Sequence, residues 1–152
     1  MLKLIEPTFA WHFVNKTLRD GSPLPPDGKW LPKISNIELC ERGYHGSLHP
    51  FDALCYAPGP TLCWCEYRGQ IIYSNDKLVA GQRRIIWRED ITDILRYFAR
   101  MQALSVAHLW DPPDVVIDFL VTGDEGIRHA AWAAAGDAAR AAQKIELIKI
   151  IS

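Results

Sequence analysis

Apolar positions recur every second residue up to Glu89 and every third or fourth from Asp90 onward, which divides the chain into a β-rich part and a helical part. Thr8 to Val14 opens the pattern. Phe9, Trp11 and Phe13 fall on one side of a strand, and Ala10, His12 and Val14 on the other. Arg19, Asp20 and Gly21 read as a turn. The stretch after it carries Pro23, Pro25, Pro26 and Pro32 with Gly28, which excludes regular structure and predicts a loop, either a functional flap or a proline-stiffened surface excursion. Ile34 to Leu39 reads as a short strand ending at Cys40, Glu41 to Gly43 as a turn, and Tyr44 to Ser47 as a second extended piece. Pro50 suits the first turn of a helix capped by Ser47 or His49, with Phe51, Leu54 and Cys55 at helical spacing and Pro58 to Pro60 as its stop. Leu62 to Tyr67, Ile71 to Tyr73, Lys77 to Ala80 and Arg84 to Trp87 follow as strands, with Arg68 and Gly69 as a turn between the first two.

From Asp90, a candidate N-cap, Ile91, Ile94, Leu95, Phe98 and Met101 predict a helix to about Trp110, broken by Pro112 and Pro113. Asp114 opens a short helix through Leu120, and Thr122, Gly123 and Asp124 read as a C-cap followed by a new N-cap. Ile127 to Ile150 is alanine-rich with strong helix propensity, and its apolar end, from Ile145, is expected to dock on its own core or on a partner.

These elements predict an α+β protein: an antiparallel, two-layer β-rich module over residues 1–89 with a cleft, followed by a helical C-terminal segment over 90–152 that packs on it. A length of 152 residues, 49% of them hydrophobic, is enough to bury a core without disulfides. The 17 basic and 18 acidic residues nearly cancel, so no global field draws the chain to nucleic acid or to a membrane surface. Arg83, Arg84, Arg88, Arg96 and Arg100 form the one concentrated basic region, but Glu89, Asp90 and Asp93 lie among them, which reads as a mixed solvated face. Met1 to Pro7 has too short an apolar run for a leader, and no window is apolar for the length of a bilayer span. A cytoplasmic protein with four reduced thiols is therefore expected.

Residues 40 to 72 hold all four cysteines together with His45 and His49. A zinc site from Cys40, His45, Cys63 and Cys65 has poor spacing, with no Cys-x-x-Cys pair, so no metal is expected. A thiol nucleophile at Cys55, activated by His45 or His49, requires a proximity that spacing alone does not supply. Gly43 and Gly46 flank His45 and leave room for unusual backbone and close ligand approach. Against these readings, His12 between Trp11 and Phe13 suits a core or cleft-edge histidine, Tyr44 and Tyr56 suit amphipathic packing, and Ser47 suits a helix cap.

Cys40, Gly43, Tyr44, His45, Gly46 and Ser47, followed by Asp52 to Gly59 and Asp76 to Ala80, resemble a family of small, uncharacterised phage and bacterial proteins. That family carries a Cys-x-x-Gly-aromatic-His-small-Ser motif, then an Asp-Ala-Leu-x-Tyr-Ala-Pro-Gly helix. The likeness covers roughly residues 8 to 100 and brings no established reaction. A second, weaker resemblance is to ADP-ribosyltransferase-like domains, carried by His12 on the first strand, Gly43 to Ser47, and the helix ending in Tyr56 and Ala57. It implies NAD as cofactor, with His12, His45 and Ser47 as ligand contacts, Tyr44 or Tyr56 as the ring stacked on nicotinamide, and a carboxylate that stabilises the cation left when the glycosidic bond breaks. Glu89 is the candidate for that catalytic carboxylate, with Glu66 next. The alternative is a non-enzymatic accessory protein that binds a host protein, for example as an inhibitor of host defence, through the proline-rich loop and the apolar C-terminal helix. The residues leave open which of the two the chain is.

Overall fold

The computed structural model describes residues 7–18 and 21–151; the expectations of no leader at the N-terminus and of a turn at Arg19 and Asp20 fall on residues outside them. The elements run β1 (Thr8–Val14), β2 (Tyr44–Gly46), α1 (Pro50–Leu54), β3 (Thr61–Tyr73), β4 (Leu78–Asp90), α2 (Thr92–Ser105), a 3-10 turn (Ala107–Leu109), α3 (Asp114–Thr122) and α4 (Arg128–Ile151). The fold is α+β, a curled antiparallel sheet followed by helices, and the chain forms two compact units, Met1–Thr92 and Asp93–Ser152.

In the first unit the strand order is β1-β3-β4-β2, all antiparallel. The curl brings the end of β2 back to β1, where Trp11 and Ser47 exchange both backbone hydrogen bonds at 2.8 and 2.9 Å, so the two outer strands meet. Closure satisfies edge groups that an open sheet would leave to solvent. The alternation read in β1 and β3 is the one that packs: Ala10 and Val14 join Cys63, Cys65 and Tyr67 in a core completed by Leu78, Ala80 and Ile85. On the other side, Phe9, Trp11, Trp64 and Trp87 form an aromatic cluster with ring centroids 4.5 to 5.9 Å apart.

Three expectations about the strands change. Arg68 and Gly69 do not turn the chain. The register shifts between Arg68 and Ile71 around Gly69, whose φ is +86°, and a bulge keeps Thr61 to Tyr73 one strand. Likewise the expected strands Lys77 to Ala80 and Arg84 to Trp87 are one strand, β4, which begins at Leu78. Ile34 to Leu39 forms no strand, because Asn36 and Cys40 take positive φ (55° and 69°) and Glu38 and Arg42 close a tight turn instead.

The proline-rich loop is neither a free flap nor an excursion. It lies along β4 as a strap: Gly28, Leu31 and Ile34 donate backbone hydrogen bonds to the carbonyls of Ile85, Arg83 and Gly81 at 2.7, 2.9 and 2.8 Å. Proline suits such an outer position, where part of the backbone needs no donor.

At the end of the first unit, Asp90 accepts from the amide and hydroxyl of Thr92, the first residue of α2. That helix ends at Ser105, short of Trp110, and tightens into the 3-10 turn. Gly123 closes α3 with φ +70°, its amide donating to the Phe119 carbonyl. Val116, Leu120 and Ala131 are buried where α3 meets α4. The far end of α4 is open, with Ile145, Leu147, Ile150 and Ile151 all more than half exposed. Among the described residues no helix is long and apolar enough to cross a membrane.

Candidate functional site

A cleft of about 810 Å³ opens in the sheet unit, and five of the residues singled out in the sequence line it: His12, Tyr44, His45, Ser47 and Tyr56. β1 presents His12, β2 and its extension present Tyr44 to Ser47, and the chain leaving α1 presents Tyr56. Leu18 and Leu31 add apolar surface, Cys40, Glu41 and Lys77 add polar groups, and β4 contributes Arg83.

His12 pairs in register with Cys63. Its imidazole is held well below the ordinary histidine range, first by burial and then by the Arg83 cation and by His45. It is neutral at physiological pH, able to donate from one nitrogen and accept at the other. His45 is also shifted down, chiefly by burial, with a hydrogen bond to the Gly43 backbone opposing. Its Nε2 accepts from the Cys40 amide at 3.0 Å, so the ring braces the turn that leads into β2. Tyr44 donates to the Pro32 carbonyl at 2.9 Å and ties the strap to β2, leaving its ring to the cleft. Ser47 is buried through its pairing with Trp11 and is not the cap of α1. His49 is: its Nδ1 accepts from the Phe51 amide at 3.1 Å.

Tyr56 belongs to a chain of polar contacts at the rim. It donates to Asp76 and accepts from Lys77 Nζ at 3.1 Å, and the same ammonium lies 4.4 Å from its ring centroid. The hydrogen bond from Tyr56 lowers the Asp76 carboxyl and that to Tyr56 raises the Lys77 ammonium, so both stay charged. The room beside Gly43 and Gly46 is taken by the protein itself, by a Val79 methyl and by the Tyr67 hydroxyl, rather than left for a ligand.

The two glutamates weighed as catalytic carboxylates stand elsewhere. Glu89 is exposed near the end of β4 opposite Leu62, and Glu66 is paired with Arg84 at 2.5 Å; neither lines the cleft. Glu41 is the carboxylate that does. Among the thiols, Cys40 and Cys55 are exposed while Cys63 and Cys65 are buried, and no group of three or more His, Cys, Asp or Glu that could hold a metal occurs among the described residues. The hydrogen bond with Cys65, then burial, holds the Cys63 thiol far above its usual range. The same hydrogen bond draws Cys65 down, with burial opposing.

Sequence reasoning missed Arg83. It sits directly across from Tyr67 in the β3–β4 register and is only 5% exposed, whereas the sequence pattern places it with Arg84 and Arg88 on a solvated face. Its Nη1 donates to the His45 carbonyl at 3.1 Å, and its guanidinium lies 5.6 Å from the Tyr44 ring centroid. No run of residues marks it. Only the alternation Arg83, Arg84, Ile85 hinted that one arginine of the pair points inward, and alternation does not say which.

Taken together the cleft offers a neutral imidazole, an aromatic ring, a buried hydroxyl residue and a cation beside apolar side chains, a set that suits an anion-bearing ligand with a planar group. Residues 8–97 match the model of one protein family, described as a domain of unknown function, DUF7666. No curated protein and no solved structure matches the chain.

Proposed function

The chain belongs to the DUF7666 family, and we propose that its sheet unit is a small accessory module that binds a nucleotide, with NAD the first ligand to test. The observation that supports this reading is convergence: His12, Tyr44, Ser47 and Tyr56 come from three separate segments and line one cleft. In this reading the Tyr44 or Tyr56 ring stacks on a planar base, and His12 and Ser47 meet ribose hydroxyls. The proposal is binding rather than transfer, since Glu89 and Glu66 lie outside the lining; a transfer reaction would have to recruit Glu41. Calorimetric titration of the full chain with NAD tests it, with chromatography of the same samples for free nicotinamide. Saturable heat without nicotinamide release is expected, lost in a folded His12→Ala variant. No heat with millimolar NAD or ADP-ribose would end the reading.

A second reading, binding of a partner protein, is favoured by one observation: the apolar end of α4, where Ile145, Leu147, Ile150 and Ile151 are 57 to 73% exposed. A photo-crosslinker at Leu147 that gives a single adduct in host extract, abolished by Ile150→Glu, supports it. Absence of any adduct counts against it.

A further inference from the structure

Three arginines follow one another on β4 with different fates. Arg84 pairs with Glu66 at 2.5 Å, and Arg88 pairs with Asp27 at 3.3 Å. Arg83, the most buried of them, makes no ion pair among the described residues. Its Nη1 reaches the His45 carbonyl, and its buried Nε has no hydrogen-bond partner. A guanidinium cannot shed its proton to escape burial, as a lysine can, so the charge stays. Taking an ion with no counter-charge out of water carries a penalty of several kcal/mol, which the His45 carbonyl, the Tyr67 hydroxyl and the Tyr44 ring only partly offset. Donors left unused in a planar fork match two oxygens of an oxyanion.

From these observations we propose that Arg83 anchors the phosphoryl group of the cleft's ligand, with the guanidinium at the inner end of the cleft and Lys77 as the second cation at its rim. The proposal rests on the cleft being a ligand site and deepens the nucleotide reading by naming the group recognised and the residue that recognises it. Supporting the placement, His45 feels the fields of both Lys77 and Arg83, so the two cations flank one region of the cleft. Among the remaining titratable neighbours, His12 is kept neutral and burial keeps the Tyr67 phenol protonated, whereas the hydrogen bond with Cys63 draws the Cys65 thiol down against burial. A Cys65 thiolate is the rival counter-ion, and an arginine serving only as a strut for β2 is the rival role.

The test uses the wild-type chain. The Nε–H resonance of Arg83 is followed by nuclear magnetic resonance while inorganic pyrophosphate is added at constant ionic strength, with acetate and chloride as controls. A saturable shift with pyrophosphate alone is expected, together with a rise in melting temperature. An Arg83→Gln variant, where it folds, should lose at least about tenfold in pyrophosphate affinity. An unmoved resonance at millimolar pyrophosphate, an equal response to chloride, or the ultraviolet absorbance of a thiolate that Cys65→Ser removes would each overturn the assignment. If pyrophosphate binds and NAD or ADP-ribose binds no tighter, the nucleotide reading fails while the Arg83 assignment stands. If NAD binds without moving the Arg83 resonance, the assignment fails while the nucleotide reading stands.

Discussion

The hydroxyl of Tyr67 occupies the space that a side chain on residue 46 would need: a Cβ built on Gly46 would lie 2.2 Å from Tyr67 Oη and 2.6 Å from Cζ. Tyr67 is fully buried, and its hydroxyl donates to the His45 carbonyl at 2.9 Å, the same oxygen that receives Arg83. It cannot swing aside without emptying the core. Gly46→Ala is therefore expected to lose about 3 kcal/mol or more by urea denaturation. Tyr67→Phe alone should lose only about 1 kcal/mol, because the carbonyl keeps one donor. The double variant should not recover, since the ring carbon clashes as the oxygen does. Recovery would mean that the hydroxyl alone, rather than the ring, fills the site.

Stability should fall on mild acidification, with His12 as the main cause. The folded chain holds His12 well below 6.5, through burial first, whereas the unfolded chain binds the proton near that value. Above about pH 6.5 the group contributes no pH dependence; below it the unfolded state takes up a proton that the folded state refuses. The unfolding free energy should then decline by up to about 1.4 kcal/mol per pH unit until the folded-state value is reached. Urea titrations from neutral to mildly acidic pH check this. A flat profile there, or one unchanged by His12→Asn, would contradict it.

Thiol labelling should separate the cysteines into two pairs. Cys40 and Cys55 are exposed and should react with a disulfide reagent in the native protein, while buried Cys63 and Cys65 should react only on unfolding. Mass spectrometry of the labelled peptides reads the result directly. Rapid native labelling at Cys63 would show that the sheet opens there.

The strap makes a backbone prediction. The amides of Gly28, Leu31 and Ile34 bond to β4 carbonyls and should exchange with deuterium far more slowly than in an unstructured peptide. Tyr44→Phe removes the hydroxyl that holds Pro32 and should speed exchange at Leu31 and Ile34, at a stability loss of about 1 kcal/mol. Free-peptide exchange rates in the parent protein would mean the strap is detached.

Much of the fold was legible along the chain because its signals are local. The alternation in Thr8 to Val14, the proline at the head of α1 and the glycine after α3 each act within a few residues. The candidate site was half legible. His12, Tyr44, Ser47 and Tyr56, which the family resemblance singles out, meet in one cleft, but Glu89, a candidate for its place at the end of a strand, lies outside it. The strap is not legible in the sequence because proline density reports which structures are excluded, not which carbonyls the remaining amides find.

Sequence alone determined a β-rich half before a helical half, and which residues of β1 share a face, since a period of two or of three to four is a property of neighbours on one strand or helix. Tertiary structure alone decided that β2 returns to β1 through Trp11 and Ser47, and that Arg83 is enclosed while Arg84 and Arg88 find acids. Those outcomes depend on register and closure between segments far apart in the chain. A one-residue change of register exchanges the two faces of a strand, so no local pattern states which arginine is buried.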